Sequence, residues 1–369
     1  MPDPVLPPFP TGREATPLAE AQPRLAPEVL SPPVPALKDA WPWSVPFRLT
    51  GGVERGQFHP VLMAFLVFIG AFLVFNLVGG IIVGVAAVME GGPTVDMEAY
   101  LVENGGIALG ANTLGQWLSF ALIAALMARW SSPDWREFVR SRTPEAGGLL
   151  LASIGWAFLY FFVIWLGQIN AEIPLPESLR AFDQMMTDQT EALLAGTDLP
   201  PWMLFVAIAI TPAVCEELMF RGYLQRQIER GMGLVWSIVL VGVLFGAYHL
   251  QVTKLLPLAT LGIYLGFVVW ATGSVWTGAL VHLLNNGFAV LLVTALKARG
   301  EGGLEAIEAQ TMPWYLGVGG AVLALLFCVM LYRRRQSMVG DAQDAMPVRA
   351  SGDDSGDDSL LSFAPHARV

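Results

Sequence analysis

The stretch that decides the fold is residues 60–89, PVLMAFLVFIGAFLVFNLVGGIIVGVAAVM, which contains no charged side chain. A membrane-spanning helix needs about 20 mainly apolar residues, because the backbone polar groups must be satisfied inside the segment. Residues 60–89 are therefore predicted to form a transmembrane helix.

Further apolar runs follow along the chain, at 106–128, 147–168, 200–217, 232–250, 255–271, 274–296 and 313–332. The whole chain is 54% hydrophobic and 14% charged, against about a quarter charged in soluble domains. We predict an all-α fold, a polytopic membrane helical bundle of about eight transmembrane helices. Seven and nine are the alternatives, because Pro257 and several glycines interrupt the run 255–271.

Basic residues predict the orientation of the bundle. With the N-terminus inside, all but four of the 21 Lys and Arg residues fall in inner segments, and the four exceptions are Arg180, Lys254, Lys297 and Arg299. The positive-inside rule then places both termini in the cytoplasm, as expected for an integral protein of the cell (inner) membrane. The net charge of −10 speaks against a nucleic-acid partner.

Ionisable residues inside apolar runs are costly and therefore suggest function. Those in the second half of the chain are Glu216, Glu217, Arg221, His249 and His282. Glu217 and Arg221 stand four residues apart, so they share a helix face and can form an ion pair. Glu216 lies about 100° further round the helix. We expect Glu217 to be structural and Glu216 to be free for chemistry.

The heights of these residues can also be estimated from the helical rise. From a turn at residues 231–233, Glu216 lies about 22 Å along one helix and His249 about 25 Å along the next. His282 lies about 13 Å from a turn near Gly273. The three segments are therefore predicted to converge on one cavity. The polar stretch 218–231 is predicted to protrude from the membrane as a helix, so that the cavity opens toward the cytoplasm.

Several chemistries suit this group of side chains. A carboxylate and an imidazole can activate a water molecule, while a second imidazole and the carboxamide of Asn286 stabilise an oxyanion. Alternatively, Glu216, His249 and His282 can hold a zinc ion that activates the water. The non-catalytic alternative is that the His and Asn side chains make only packing hydrogen bonds between helices.

Three short motifs contain these residues: Glu216-Glu217-Leu218-Met219-Phe220-Arg221, Phe245-Gly246-Ala247-Tyr248-His249 and His282-Leu283-Leu284-Asn285-Asn286. Together they resemble the motifs of the CAAX-protease and bacteriocin-processing family, which includes the type II CAAX prenyl endopeptidases. The resemblance implies that Glu216 and His249 activate water, that His282 and Asn286 bind the oxyanion, and that Glu217, Arg221 and Phe245 support them. The family is commonly labelled metalloprotease, and a metal-free glutamate mechanism has also been argued for it.

Five segments follow from these assignments. Residues 1–58 are predicted to be a disordered, Pro-rich cytoplasmic segment, and 336–369 a disordered acidic cytoplasmic tail. Residues 59–199 contain the first three spans and an outer loop, in which 171–196 resembles an interfacial amphipathic helix. The catalytic helices, the fourth to the seventh, occupy 200–297, and an outer loop and the last span occupy 298–335.

The leading functional prediction is a membrane endopeptidase acting on a peptide or lipidated protein tail among membrane lipids. A chain without His-Glu-x-x-His, Gly-x-Ser-x-Gly or a Walker A loop does not fit the site-two zinc proteases, serine hydrolases or ATP-driven transporters. The alternatives are a non-catalytic membrane scaffold or bacteriocin immunity factor of the same family, and a transporter that uses Glu and His as a proton relay. The sequence leaves the substrate and the oligomeric state open.

Overall fold

The computed structural model describes residues 49–92, 94–195, 199–300 and 311–344. Within those residues all regular structure is helical. The main helices, in chain order, are α1 (Pro60–Gly91), α2 (Gly105–Ser131), α3 (Ala146–Ala171), α4 (Glu177–Ala195), α5 (Pro201–Met232), α6 (Leu234–Tyr248), α7 (Leu255–Thr272), α8 (Val275–Arg299) and α9 (Trp314–Asp344).

The described residues contain seven helices that are long and apolar enough to cross a membrane, namely α1, α2, α3, α5, α7, α8 and α9. Helix α6 is apolar but has only 15 residues. The prediction of a polytopic helical bundle of about eight spans is confirmed, and the protein is an integral membrane protein.

Helix α5 is distorted at two places that matter for the site. Residues Phe205–Ile210 and Leu218–Leu224 both adopt the wider π-helical turn. A π turn inserts an extra residue into the helix and shifts the side chains that follow it around the axis. Glu216 and Glu217 lie in the short α-helical segment between the two distortions.

Helices α6 and α7 pack unusually closely, because glycines line their contact. A Cβ added at Gly262 would lie 2.8 Å from the carbonyl oxygen of Gly242, and one added at Gly246 would lie 2.8 Å from that of Leu255. Small residues at such spacing let two backbones approach in membranes, where dispersion contacts and hydrogen bonds drive association. These glycines therefore bring the backbones of α6 and α7 into direct contact.

The C-terminal half of α5 is helical and is buried within the protein, while its predicted protrusion from the membrane stays a prediction. Gln225, Arg226, Gln227 and Glu229 are all buried. Glu229 binds Arg140 of the loop between α2 and α3 at 2.8 Å. Composition alone pointed to solvent, but partners distant in sequence satisfy these side chains instead.

The two ends of the chain differ in how much of them is described. Of the segment predicted to be disordered at the N-terminus, residues 1–48 lie outside the described residues, whereas Gly52–Arg55 form a helical turn next to α2. At the other end α9 continues to Asp344, and residues 345–369 lie outside the described residues. The predicted amphipathic segment contains the helix α4. The side chains of Leu193 and Leu194, near the end of α4, lie outside the described residues.

Candidate active site

A buried ion pair on α5 forms the centre of the candidate site. Arg221 Nη1 lies 2.6 Å from Glu217 Oε1, and both side chains are 0% exposed. The two residues are one helical turn apart, as their spacing predicts. Because a buried charge is tolerated only when it is paired, each of these residues depends on the other.

Glycine carbonyls of α7 hold the same face of α5. Arg221 Nη2 donates to the carbonyl of Gly262 at 3.0 Å, and Gln225 Nε2 donates to that of Gly266 at 3.1 Å. Arg221 and Gln225 are four residues apart, and so are Gly262 and Gly266, so a single alignment of α5 against α7 allows both hydrogen bonds. Without a Cβ, a glycine leaves its carbonyl open to a bulky guanidinium or amide group.

Helix α8 reaches this network through His282. His282 Nδ1 lies 3.1 Å from Glu217 Oε1, the oxygen that also accepts from Arg221. Gly278, one turn earlier on α8, lies so close that an added Cβ would be 2.7 Å from Glu217 Oε2. Glu217 therefore ties α5 to α8 and orients the His282 ring.

The ring of Phe245 on α6 stands among the charged and imidazole groups. The Arg221 guanidinium carbon lies 4.5 Å from the Phe245 ring centre. The His249 and His282 rings lie 5.1 and 5.6 Å from the same centre, both edge-on. The three motif segments therefore meet at one place, as the heights along the helices predict.

Each imidazole has one ring nitrogen already engaged. His249 Nδ1 lies 2.8 Å from the Phe245 backbone oxygen, and His282 Nδ1 lies next to a Glu217 oxygen. Because a backbone carbonyl or an ionised carboxylate only accepts, Nδ1 carries the proton in both rings. In the neutral imidazole Nε2 is then the acceptor, the nitrogen available for substrate or water.

Glu216 differs from its neighbour in having no partner. The side chain is buried, and its Oε2 atom makes no hydrogen bond among the described residues. It lies within electrostatic range of His282, Glu217 and Arg221. No hydrogen bond joins Glu216 to His249 within the described part of the chain, although the heights predict that the two residues meet.

Asn286 is held by the backbone carbonyl of Ile208, which lies in the π-helical segment Phe205–Ile210 of α5. Asn286 Nδ2 donates to that Ile208 oxygen at 3.1 Å, and its Oδ1 accepts from Asn285 Nδ2 at 3.1 Å. One N–H of the Asn286 amide remains available for a substrate oxygen.

The predicted zinc ligands do not form a metal site in this arrangement. Among the described residues, no three or more His, Cys, Asp or Glu side chains are placed to hold a metal ion. The Nδ1 hydrogen bonds of His249 and His282 leave both Nε2 atoms able to bind a metal, so these bonds fit either mechanism. Zinc stays a prediction, and the chemistry proposed for the carboxylates does not depend on it.

Comparison with known proteins covers the part of the chain that holds these residues. Residues 198–288 match the family model of the Rce1-like type II CAAX prenyl endopeptidases. These residues form an Rce1-like domain. The Rce1-like domain includes all three motifs, from Glu216 to Asn286. The match confirms the resemblance to CAAX-type membrane peptidases.

A curated relative is also similar to this chain. The chain is 26% identical over 183 residues to the putative membrane peptidase YdiL of Bacillus subtilis (strain 168), and the match covers 48% of this chain and 71% of the relative. No solved structure matches significantly. Both comparisons therefore name peptidases as the proteins that this chain resembles.

Sequence reasoning missed several residues that shape the site. Gly262 and Gly266 provide acceptors, Gly278 provides space, and Asn285 bridges Asn286 and Trp156. A signal for the glycines was present, since Gly262 and Gly266 repeat the four-residue spacing of Arg221 and Gln225. The pairing itself could not be deduced, because it depends on which helices become neighbours.

Proposed function

We propose that this protein is an intramembrane endopeptidase that hydrolyses peptide bonds in membrane-associated substrates, with CAAX-type lipidated tails as the first class to test. One contrast carries the proposal. Glu217 is held through its Oε1 by Arg221 and His282, whereas adjacent Glu216 makes no hydrogen bond or ion pair among the described residues, and its Oε2 is buried. Adjacent carboxylates in such different surroundings are typical of a division between a structural and a catalytic group.

In this proposal Glu216 is the general base. It takes a proton from a water molecule, and the hydroxide adds to the peptide carbonyl carbon as the carbonyl electron pair moves to oxygen. When the C–N bond breaks, the protonated Glu216 gives its proton to the leaving amine. His249 Nε2, left as an acceptor by the bond at Nδ1, accepts from the second hydrogen of the water and orients it.

The developing oxyanion is stabilised by His282 and Asn286. The free N–H of the Asn286 amide donates directly. Since His282 Nδ1 already donates to Glu217, donation from Nε2 requires the imidazolium form. The Glu217 carboxylate stabilises that positive charge, so Glu217 and Arg221 support the reaction through His282.

Cleavage of a quenched fluorescent farnesylated peptide ending in a CAAX box tests the proposal. Purified wild type, Glu216→Gln, His249→Ala and the matched control Glu103→Gln are compared, each checked for folding. Glu103 is an exposed glutamate far from the motifs in sequence, so its change tests the effect of a lost charge alone. Cleavage lost in the first two variants and kept in the control is the expected result.

Two further comparisons separate the alternatives. A zinc chelator that abolishes wild-type cleavage supports a metal, and chelator-insensitive cleavage supports the glutamate mechanism. If folded wild type cuts neither farnesylated nor unmodified membrane peptides, the scaffold or immunity alternative replaces the peptidase.

A further inference from the structure

The backbone immediately after His249 is strained. Leu250 has φ = 58°, the left-handed region that a branched side chain rarely occupies. At the end of a helix this position is usually a glycine. Strained backbone persists only where the surrounding structure holds it, and it clusters at functional sites.

The turn that contains Leu250 ends a helix that is too short to cross a bilayer core by itself. With 15 residues, α6 is about 22 Å long, against roughly 30 Å for the core. Within a bilayer core, irregular backbone such as that of residues 249–251 is tolerated only where other protein satisfies its polar groups.

A buried carboxylate on α4 provides that support. Asp183 is 6% exposed, and its Oδ1 accepts from the Thr253 backbone N–H at 3.1 Å while its Oδ2 accepts from the Thr253 hydroxyl at 2.6 Å. Asn170, at the end of α3, donates to the Val252 oxygen at 3.1 Å. Helix α4 lies outside the Rce1-like domain, so this contact reaches the site from another part of the chain.

We propose that Asp183, through Thr253, clamps the strained turn that carries His249 and is therefore a positioning residue for the reaction. This inference rests on the proposed function, because it concerns where His249 Nε2 points. Both carboxylate oxygens of Asp183 bind Thr253, which follows His249 by four residues. Two bonds to one residue restrain both the position and the rotation of the turn.

Kinetics of Asp183→Ala, Asp183→Asn and Thr253→Val test the clamp. Misplacing a catalytic group by about 1 Å can cost on the order of 100-fold, so Asp183→Ala is expected to lower kcat by about tenfold or more, with KM within about twofold. Asn keeps one acceptor and gains a donor for the Thr253 hydroxyl, so Asp183→Asn should retain most of kcat. The Asp183→Ala/Thr253→Val double variant should lose no more than the worse single variant.

Asp188→Ala is the matched control. Asp188 is an exposed aspartate on the same helix whose one hydrogen bond within the described residues is accepted from Gln184, and its loss should leave kcat unchanged. Unfolding temperatures are recorded for every variant. If Asp183→Ala does not fold, Thr253→Val, which keeps the backbone N–H contact, gives the same test.

A chemical readout makes the test independent of activity. Diethyl pyrocarbonate modifies imidazoles, and mass spectrometry follows His249, with exposed His59 as internal standard. Faster modification of His249 in Asp183→Ala, with His59 unchanged, supports the clamp even if no peptide is cleaved and the proposed function fails. Equal modification rates, together with kcat within twofold of wild type in any active enzyme, would overturn it.

Discussion

Replacing Arg221 by methionine tests how far the site depends on one buried charge. The substitution keeps an unbranched side chain, shorter than that of arginine, but leaves Glu217 buried without its 2.6 Å partner. Removing one member of a buried ion pair costs about 3–5 kcal/mol. The Arg221 guanidinium also lies 4.5 Å from the Phe245 ring centre, an interaction worth about 2 kcal/mol when desolvated.

A double variant separates these contributions. Glu217→Gln combined with Arg221→Met removes the stranded charge but not the lost contact with Phe245. We therefore expect it to be less destabilised than Arg221→Met alone, by up to about 3–5 kcal/mol, because the ring contact is lost in both variants and only the stranded charge differs. The matched control is Arg180→Met, since Arg180 is 63% exposed and pairs with Glu177 only at 4.0 Å.

Thermal unfolding in detergent at a fixed scan rate measures the effect. At about 2–4 °C per kcal/mol for chains of 150–250 residues, Arg221→Met should lower Tm by about 6 °C or more. The exposed pair contributes about 0–1 kcal/mol, so Arg180→Met should change Tm by only a few degrees. If the double variant is as unstable as the sum of its single changes, the stranded charge is not the cause and the reasoning is refuted.

Two further predictions concern a close contact and a helix terminus. Gly278→Ala places a Cβ 2.7 Å from Glu217 Oε2, so it should lower both Tm and cleavage, whereas Gly79→Ala, with nothing within 4 Å, should leave Tm unchanged or raise it. At the start of α3, burial raises the pKa of the Glu145 carboxyl, but two backbone N–H donors and the Arg334 guanidinium outweigh it and lower the pKa. Its stabilisation, about 1 kcal/mol for a helix cap, should be present above the unfolded pKa and lost as pH falls through the folded one. The Tm difference between wild type and Glu145→Gln should shrink on acidification, and a pH-independent difference would contradict this.

Local spacing was enough to predict the parts of the site that lie on one helix. The Glu217–Arg221 pair follows from a four-residue separation, and the spans follow from hydropathy alone. The convergence of the three motifs followed from helical rise, and the rings of His249 and His282 do meet at Phe245.

Contacts between helices could not be read from the sequence. The polar stretch 218–231 is buried because Arg140 and other distant residues cover it, and a composition rule has no access to those partners. His282 was expected to serve as an oxyanion donor or as a zinc ligand, and the contact of its Nδ1 with Glu217 was not predicted. That contact depends on the rotation of α8 about its axis, which side-chain spacing within one helix does not determine.

The account rests on Glu216 as the base of a membrane peptidase, and Glu216→Gln tests it most directly. Glutamine is nearly isosteric but cannot take a proton from water, and it removes a buried carboxylate whose Oε2 has no hydrogen-bond partner among the described residues. Cleavage of the farnesylated peptide and Tm are measured on the same preparation. We predict cleavage reduced by about 100-fold or more, with Tm equal to or above that of wild type. Cleavage at the wild-type rate by folded Glu216→Gln would contradict the account.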